Sequence, residues 1–162
     1  KYAYQNDYDI AIQFDGDGQH DINYACKIIE PLIKGEANMS IGSRFVDSSS
    51  SEFKSTKARQ MGIKLISGFI NFFTGKKVYD VTSGFRAIDK SLIDRFSKDY
   101  PLEYPEPIST TEILKDRFSV CEVPVSMNER LGGVSSIRSW KNVYYMLNVL
   151  LSIVIIGIRR KK

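Results

Sequence analysis

The stretch "YDIAIQFDGDGQHD", Tyr8 to Asp21, decides how the rest of the chain is read. Its first half is a run of isoleucine and aromatic residues, the composition of a short buried strand. Its second half crowds Asp15, Asp17 and Asp21, Gly16, Gly18 and the chain's single histidine, His20, into the tip of that strand. Three explanations compete: a calcium loop, a metal–nucleotide site, or a plain turn. An EF-hand loop needs Gly at its sixth position and Glu at its twelfth. Counted from Asp15, those positions hold His20 and Cys26, so the calcium loop fails. A turn accounts for the glycines but leaves Asp15 and Asp17 close together with nothing to offset their repulsion. Two carboxylates at i and i+2 on a glycine-flexed loop can reach one hard divalent cation or a metal-bound diphosphate.

Working outward, "DINYACKIIEPLIKG" carries apolar residues at Ile22, Ala25, Ile28, Ile29, Leu32 and Ile33, which is helical spacing. Asp21 is its N-cap and Gly35 its stop. "NMSIGSRF" reads as a second strand, followed by a serine run, Ser48 to Ser51, with the composition of a mobile segment. From Thr56 to Phe73 an amphipathic pattern places Met61, Leu65, Ile66, Phe69, Ile70 and Phe73 on one side of a helix that Gly75 ends. "VYDVTSGFRAID" has the pattern of strand–turn–strand, "KSLIDRFSKD" and "PISTTEILKDRF" of helices, and "SVCEVPVSMNE" of a strand. Alternating strands and helices predict an α/β layered domain rather than an all-α or all-β one. Ligands in such domains sit beyond the carboxyl ends of the strands, where the acidic loop lies.

The 162 residues, 43% of them hydrophobic and 26% charged, suit one compact domain with its own core. A net charge of +4 favours anionic partners, although much of the excess is local, in Arg159, Arg160, Lys161 and Lys162. Basic residues do not cluster with interleaved aromatics along one face, which argues against a nucleic-acid partner. Cys26 and Cys121 lie far apart and outside any C-x-x-C spacing, the usage of a reduced compartment rather than a zinc or disulfide scaffold. Val143 to Ile158 carries no charge and ends in the basic cluster, with Trp140, Tyr144 and Tyr145 at its other end. A spanning helix needs about 20 apolar residues, so this run is at the short limit. Two readings stand: a membrane-associated or membrane-spanning helix over 140–162, after a catalytic-domain segment over 1–139, or a core or oligomer helix.

Four blocks, "QFDGDGQHD", "IGSRF", "DVTSGFRAID" and "VPVSMNERLGGVSSI", followed by the apolar tail, resemble a family 2 glycosyltransferase of the GT-A (Rossmann-like) fold. Within that family the chain is most similar to dolichyl- and polyprenyl-phosphate sugar synthases and to bacterial cell-surface polysaccharide transferases. The resemblance implies that Asp15 and Asp17 bind Mg²⁺ or Mn²⁺ bridging the diphosphate of a UDP- or GDP-linked sugar. It implies donor contacts at Gln19, His20, Ser83 and Gly84, with Arg130 closing a loop made mobile by Gly132 and Gly133. Arg44 and Arg59 match cations near the acceptor phosphate, for which arginine's bidentate fork is suited. Glu106 stands about where the family's acidic base lies, with Asp80 a second candidate; an anionic lipid-phosphate acceptor needs no base at all.

The chain departs from the family in lacking the opening "P-x-Y-N-E" and "V-x-D-G-S" blocks that grip the nucleobase. The resemblance therefore implies the C-terminal part of an α/β GT-A domain, a mixed sheet flanked by helices, with a C-terminal apolar helix. Its inverting sugar transfer would use a lipid-phosphate or glycan acceptor at the cytoplasmic face of the cell membrane. The competing expectation is an inactive fragment, or a non-catalytic membrane-associated module that binds nucleotide-sugars.

Overall fold

The computed structural model describes residues 1–46, 57–127 and 140–159. The elements in chain order are α1 (Tyr2–Gln5), β1 (Ile10–Gln13), α2 (Ala25–Ile33), β2 (Met39–Ser43), α3 (Lys57–Thr74), β3 (Arg86–Asp89), α4 (Lys90–Lys98), α5 (Pro105–Lys115), β4 (Val120–Pro124) and α6 (Trp140–Ile158). A single 3₁₀ turn, Ile22–Tyr24, leads into α2, and the Asp21 carboxylate caps it by accepting from the Asn23 N–H at 2.9 Å.

The four strands form one sheet in the order β1-β3-β2-β4. β3 runs antiparallel to β1 and β2, with Arg86 opposite both Gln13 and Ile41, and β4 runs parallel to β2. The strands β1, β2 and β4 therefore all point the same way, and β3 enters the sheet from their carboxyl edge. Alternation along the strands divides the core in two. Ala87 and Val123 face α2 and its Ile28 and Leu32, while Met39 and Ile41 face Ile63, Ile66 and Ile70 of α3 and Ile113 of α5. The result is helix, sheet and helices in three layers. Beside the edge strand β1 the second helix layer leaves a cavity of about 610 Å³, bounded by Ala11, Ile88, Phe96 and Tyr100.

Two sequence expectations change, and the opening residues form a helical turn, α1, before the strand begins. The 78–89 segment has one strand, β3, rather than two, because residues 78–85 are taken up in a turn around Asp80. Helix α5 begins at Pro105 instead of Pro107; proline at the first helical position gives up only an N–H that would have no helical partner. The 56–73 helix is present as α3, and Gly75 stops it in the left-handed conformation at φ +71°. The Ser48–Ser51 run lies outside the described residues.

Helix α6 is built into the fold. Val149 and Ile153 are fully buried in the same core as α3 and α5, and Tyr145 meets Tyr104 edge-on at 4.8 Å. Gly62 lies against Met146 at one end of the α3/α6 contact and Phe73 against Gly157 at the other, so the two helices run side by side in the same direction. The outer flank of α6 carries exposed Tyr144, Leu147, Leu151, Ile155 and Ile158. Among the described residues no helix is long and apolar enough to cross a membrane.

If α6 is integral to the core, Ile153→Ala should lower unfolding stability by about 2–5 kcal/mol, the range for emptying a buried aliphatic site. Urea unfolding followed by circular dichroism measures this. A change below about 0.5 kcal/mol would mean that α6 is not packed as described.

Candidate active site

Four segments meet at the carboxyl edge of the sheet: the acidic loop after β1, Arg44 just past β2, the 78–85 turn that enters β3, and the end of β4. In the loop, the Gln19 N–H donates to Asp17 Oδ1 at 3.1 Å, which folds the backbone back on itself. His20 is buried, its backbone pairs with Met127 beyond β4, and its Nε2 lies 3.4 Å from Asp15 Oδ2. The imidazole stacks near Phe85 at 5.0 Å and Phe14 at 5.6 Å. Asp15 lies over Gly84: a Cβ on Gly84 would fall 2.5 Å from Asp15 Oδ2. Two expected donor residues, His20 and Gly84, therefore both contact a third, Asp15. Ser83 is buried beside them, its Oγ accepting from the Phe85 N–H at 3.3 Å.

The expected acceptor arginine and the second base candidate are paired with each other. Arg44 Nε donates to Asp80 Oδ2 at 2.7 Å and Nη2 to Oδ1 at 2.7 Å, and the Arg44 backbone N–H adds a third bond to Oδ2 at 3.1 Å. Both side chains are buried. A general base needs a lone pair facing the incoming hydroxyl, and both oxygens of Asp80 are engaged by Arg44 inside the protein. A phosphate clamp needs an open guanidinium, and that of Arg44 is turned inward, with Thr82 Oγ1 at 3.4 Å. The two expectations are revised together: this pair anchors the 78–85 turn to the end of β2.

Two residues overlooked in the sequence complete that anchor. Glu122 on β4 accepts from the Tyr79 and Asp80 backbone N–H groups, each at 2.8 Å. Burial pushes its carboxyl up, against the pull of those two donors. Arg86 reaches from β3 to Ser83 O at 2.7 Å, Val81 O at 3.0 Å, Glu106 O at 2.8 Å and Thr110 Oγ1 at 2.9 Å. Its burial lowers the guanidinium pKa, with the Glu106 charge opposing. A carboxylate inside the apolar run "VCEVPV" and an arginine at the head of a strand were the signals for both.

Glu106 occupies the first turn of α5, and its charge acts on Tyr145 of α6. Burial, then Glu106, pushes the Tyr145 hydroxyl up to about 12, while Arg59 on α3 pulls the other way. Arg59 is exposed. Glu106, Arg59 and Tyr145 thus form a second neighbourhood, assembled from three helices. Arg130, with Gly132 and Gly133, lies outside the described residues.

No family model matches the chain. Over 128 residues, 77% of the chain, it is 34% identical to a UDP-N-acetylglucosamine–dolichyl-phosphate N-acetylglucosaminyltransferase of Methanococcus voltae, covering 50% of that protein. This chain is related to the family 2 glycosyltransferases. A polyprenol monophosphomannose synthase of Mycolicibacterium smegmatis is 27% identical over 135 residues, with 79% of the chain and 49% of the synthase aligned. The chain spans about half the length of these two transferases.

Two outcomes follow from the geometry. Asp80→Asn removes the charge of the carboxylate that holds the buried Arg44 guanidinium and should cost about 3–5 kcal/mol in denaturant unfolding; a variant as stable as wild type would contradict the anchoring role. Tyr145 ionises near pH 10 when unfolded and at about 12 when folded. Its contribution to stability is therefore whole below pH 10 and lost as pH rises through 12. Tyr145→Phe should lose less stability than wild type between pH 9 and pH 11, read from urea midpoints at the two pH values.

Proposed function

We propose that this chain carries the diphosphate and sugar side of a glycosyltransferase that moves a sugar from a nucleotide-linked donor to a polyprenyl-phosphate acceptor. The carrying observation is the Asp15 carboxylate seated against Gly84 at the carboxyl edge of the sheet, in a chain whose relatives are named for polyprenyl- and dolichyl-phosphate sugar transfer. Among the described residues no group of three or more His, Cys, Asp or Glu could hold a metal ion by itself. Two carboxylates suffice where a diphosphate completes the shell, as is usual for Mg²⁺ sites at phosphates. Asp15 and Asp17 fit that role, and the cation when bound would neutralise charge on the leaving nucleoside diphosphate. Gln19 shapes the loop through its N–H to Asp17, and Gly84, lacking a side chain, lets the Asp15 carboxylate lie against the turn.

On the acceptor side, the proposal gives Arg59 the phosphate and the outer flanks of α3 and α6 the lipid. Met61, Leu65 and Phe72 on α3 are exposed like the apolar stripe on α6, and exposed apolar surface on this scale marks a contact face. Basic residues from Arg159 onward suit an anionic membrane surface at its cytoplasmic face. A phosphate oxygen is already anionic, so the transfer needs no proton removed. Glu106 then serves the fold, through its carbonyl to Arg86 and its place in the first turn of α5.

Calorimetric titration of UDP and of GDP into the 162-residue chain, with and without Mn²⁺, tests the donor half of this reading. Binding should require the cation and weaken at least ~10-fold in the Asp15→Asn/Asp17→Asn variant, and any preference between the two nucleotides names the donor. Binding indifferent to both cation and carboxylates would overturn it in favour of a non-catalytic module.

A further inference from the structure

A carboxylate at a loop tip has several rotamers open to it, and ordering it when a ligand arrives costs affinity. The Asp15 side chain is 50% exposed, yet its Oδ2 is approached from two sides. On one side is His20, whose side chain is only 4% exposed and whose Nε2 points to Oδ2 at 3.4 Å. On the other is the backbone of Gly84, so close that a Cβ there would lie 2.5 Å from the same oxygen. Both walls are themselves fixed. The imidazole sits against Phe85 and Phe14, and its backbone pairs with Met127. The turn before Gly84 is tied down by Arg86 through Ser83 O and Val81 O. His20 Nδ1 is buried with no hydrogen-bond partner among the described residues, so the ring is not held in place by two polar bonds. Its polar contact is directed at Asp15, through Nε2.

We propose that His20 and Gly84 are positioning residues that set the Asp15 carboxylate in its ligating orientation before cation and diphosphate arrive. This rests on the metal–diphosphate reading above. Outer partners that orient a ligating side chain typically change metal affinity by about 10–100-fold when removed. Gly84 acts by what it lacks: with alanine there, the flexible Asp15 tip must swing away while the backbone stays where it is.

His20 is the chain's single histidine, so its ring nitrogens can be observed without ambiguity in the ¹⁵N-labelled, metal-free full chain. Asp15→Asn and Gly84→Ala should each move those signals, and Asp17→Asn should not. Mn²⁺ titration in the presence of UDP or GDP should then show about tenfold weaker binding for His20→Leu and for Gly84→Ala. His20→Gln, whose amide N–H can stand where Nε2–H stood, should recover affinity to within about threefold. Ring signals indifferent to Asp15→Asn would overturn the proposal. So would wild-type Mn²⁺ affinity in folded His20→Leu and Gly84→Ala alongside a loss in Asp15→Asn. If Asp15→Asn itself binds Mn²⁺ as wild type does, the metal reading fails and the positioning role falls with it, whereas the ring signals still report the Asp15–His20 contact separately.

Discussion

The buried pair between Arg44 and Asp80 is the constraint on which the site depends. An ion pair inside a protein offsets the cost of leaving water only when its geometry is good and its remaining hydrogen-bonding capacity is used. Here both oxygens of Asp80 accept from the guanidinium, and a backbone N–H of Arg44 joins them. The pair ties the 78–85 turn to the end of β2, and Glu122 clasps the same turn from β4. Gly84 reaches Asp15 because that turn cannot drift. The orientation of a half-exposed carboxylate in the loop after the edge strand is thus governed by charges buried two strands away.

The carboxyl edge sorts its charges into two kinds. Asp80 and Glu122 are turned inward, each with fixed donors, and are unavailable for chemistry. Arg86 is buried too, but its hydrogen bonds go to carbonyls and hydroxyls from the turn and from α5, so it cross-links two segments through neutral acceptors. Asp15 faces outward, supported but not neutralised. A site that receives a cation and a diphosphate needs this division, because carboxylates already satisfied by arginine have little left to offer a metal.

Helix α6 has two dissimilar long faces. Its inner face contributes Val149 and Ile153 to the core and Tyr145 to the neighbourhood of Glu106 and Arg59. Its outer face is apolar and exposed over four turns. A helix committed to the core on one side and open on the other places an exposed apolar surface next to a polar site. In the proposed reading, an acceptor with an apolar tail and a phosphate head would meet these two features together.

The succession of strands and helices was legible in the chain because periodicity, caps and glycine stops are local. Asp21 capping the turn into α2 and Gly75 ending α3 depend on a few neighbouring residues each. The acidic loop was legible for the same reason: Asp15, Asp17 and His20 lie within one strand tip. The partners of Arg44, Asp80, Glu122 and Arg86 were not, since they are brought together from segments up to 43 residues apart by the order β1-β3-β2-β4. In the sequence, Asp80 and Arg44 were two polar residues near a site, equally suited to a base and a phosphate clamp. The apolar run from Val143 to Ile158 was open to a membrane or a core, because hydropathy measures how apolar a surface is and says nothing of what covers it. The sequence by itself therefore determined the elements and the chemistry at the strand tip. Only the tertiary structure decided which charges are locked in the interior and which remain exposed, because burial and pairing are properties of the packed sheet and not of any one segment.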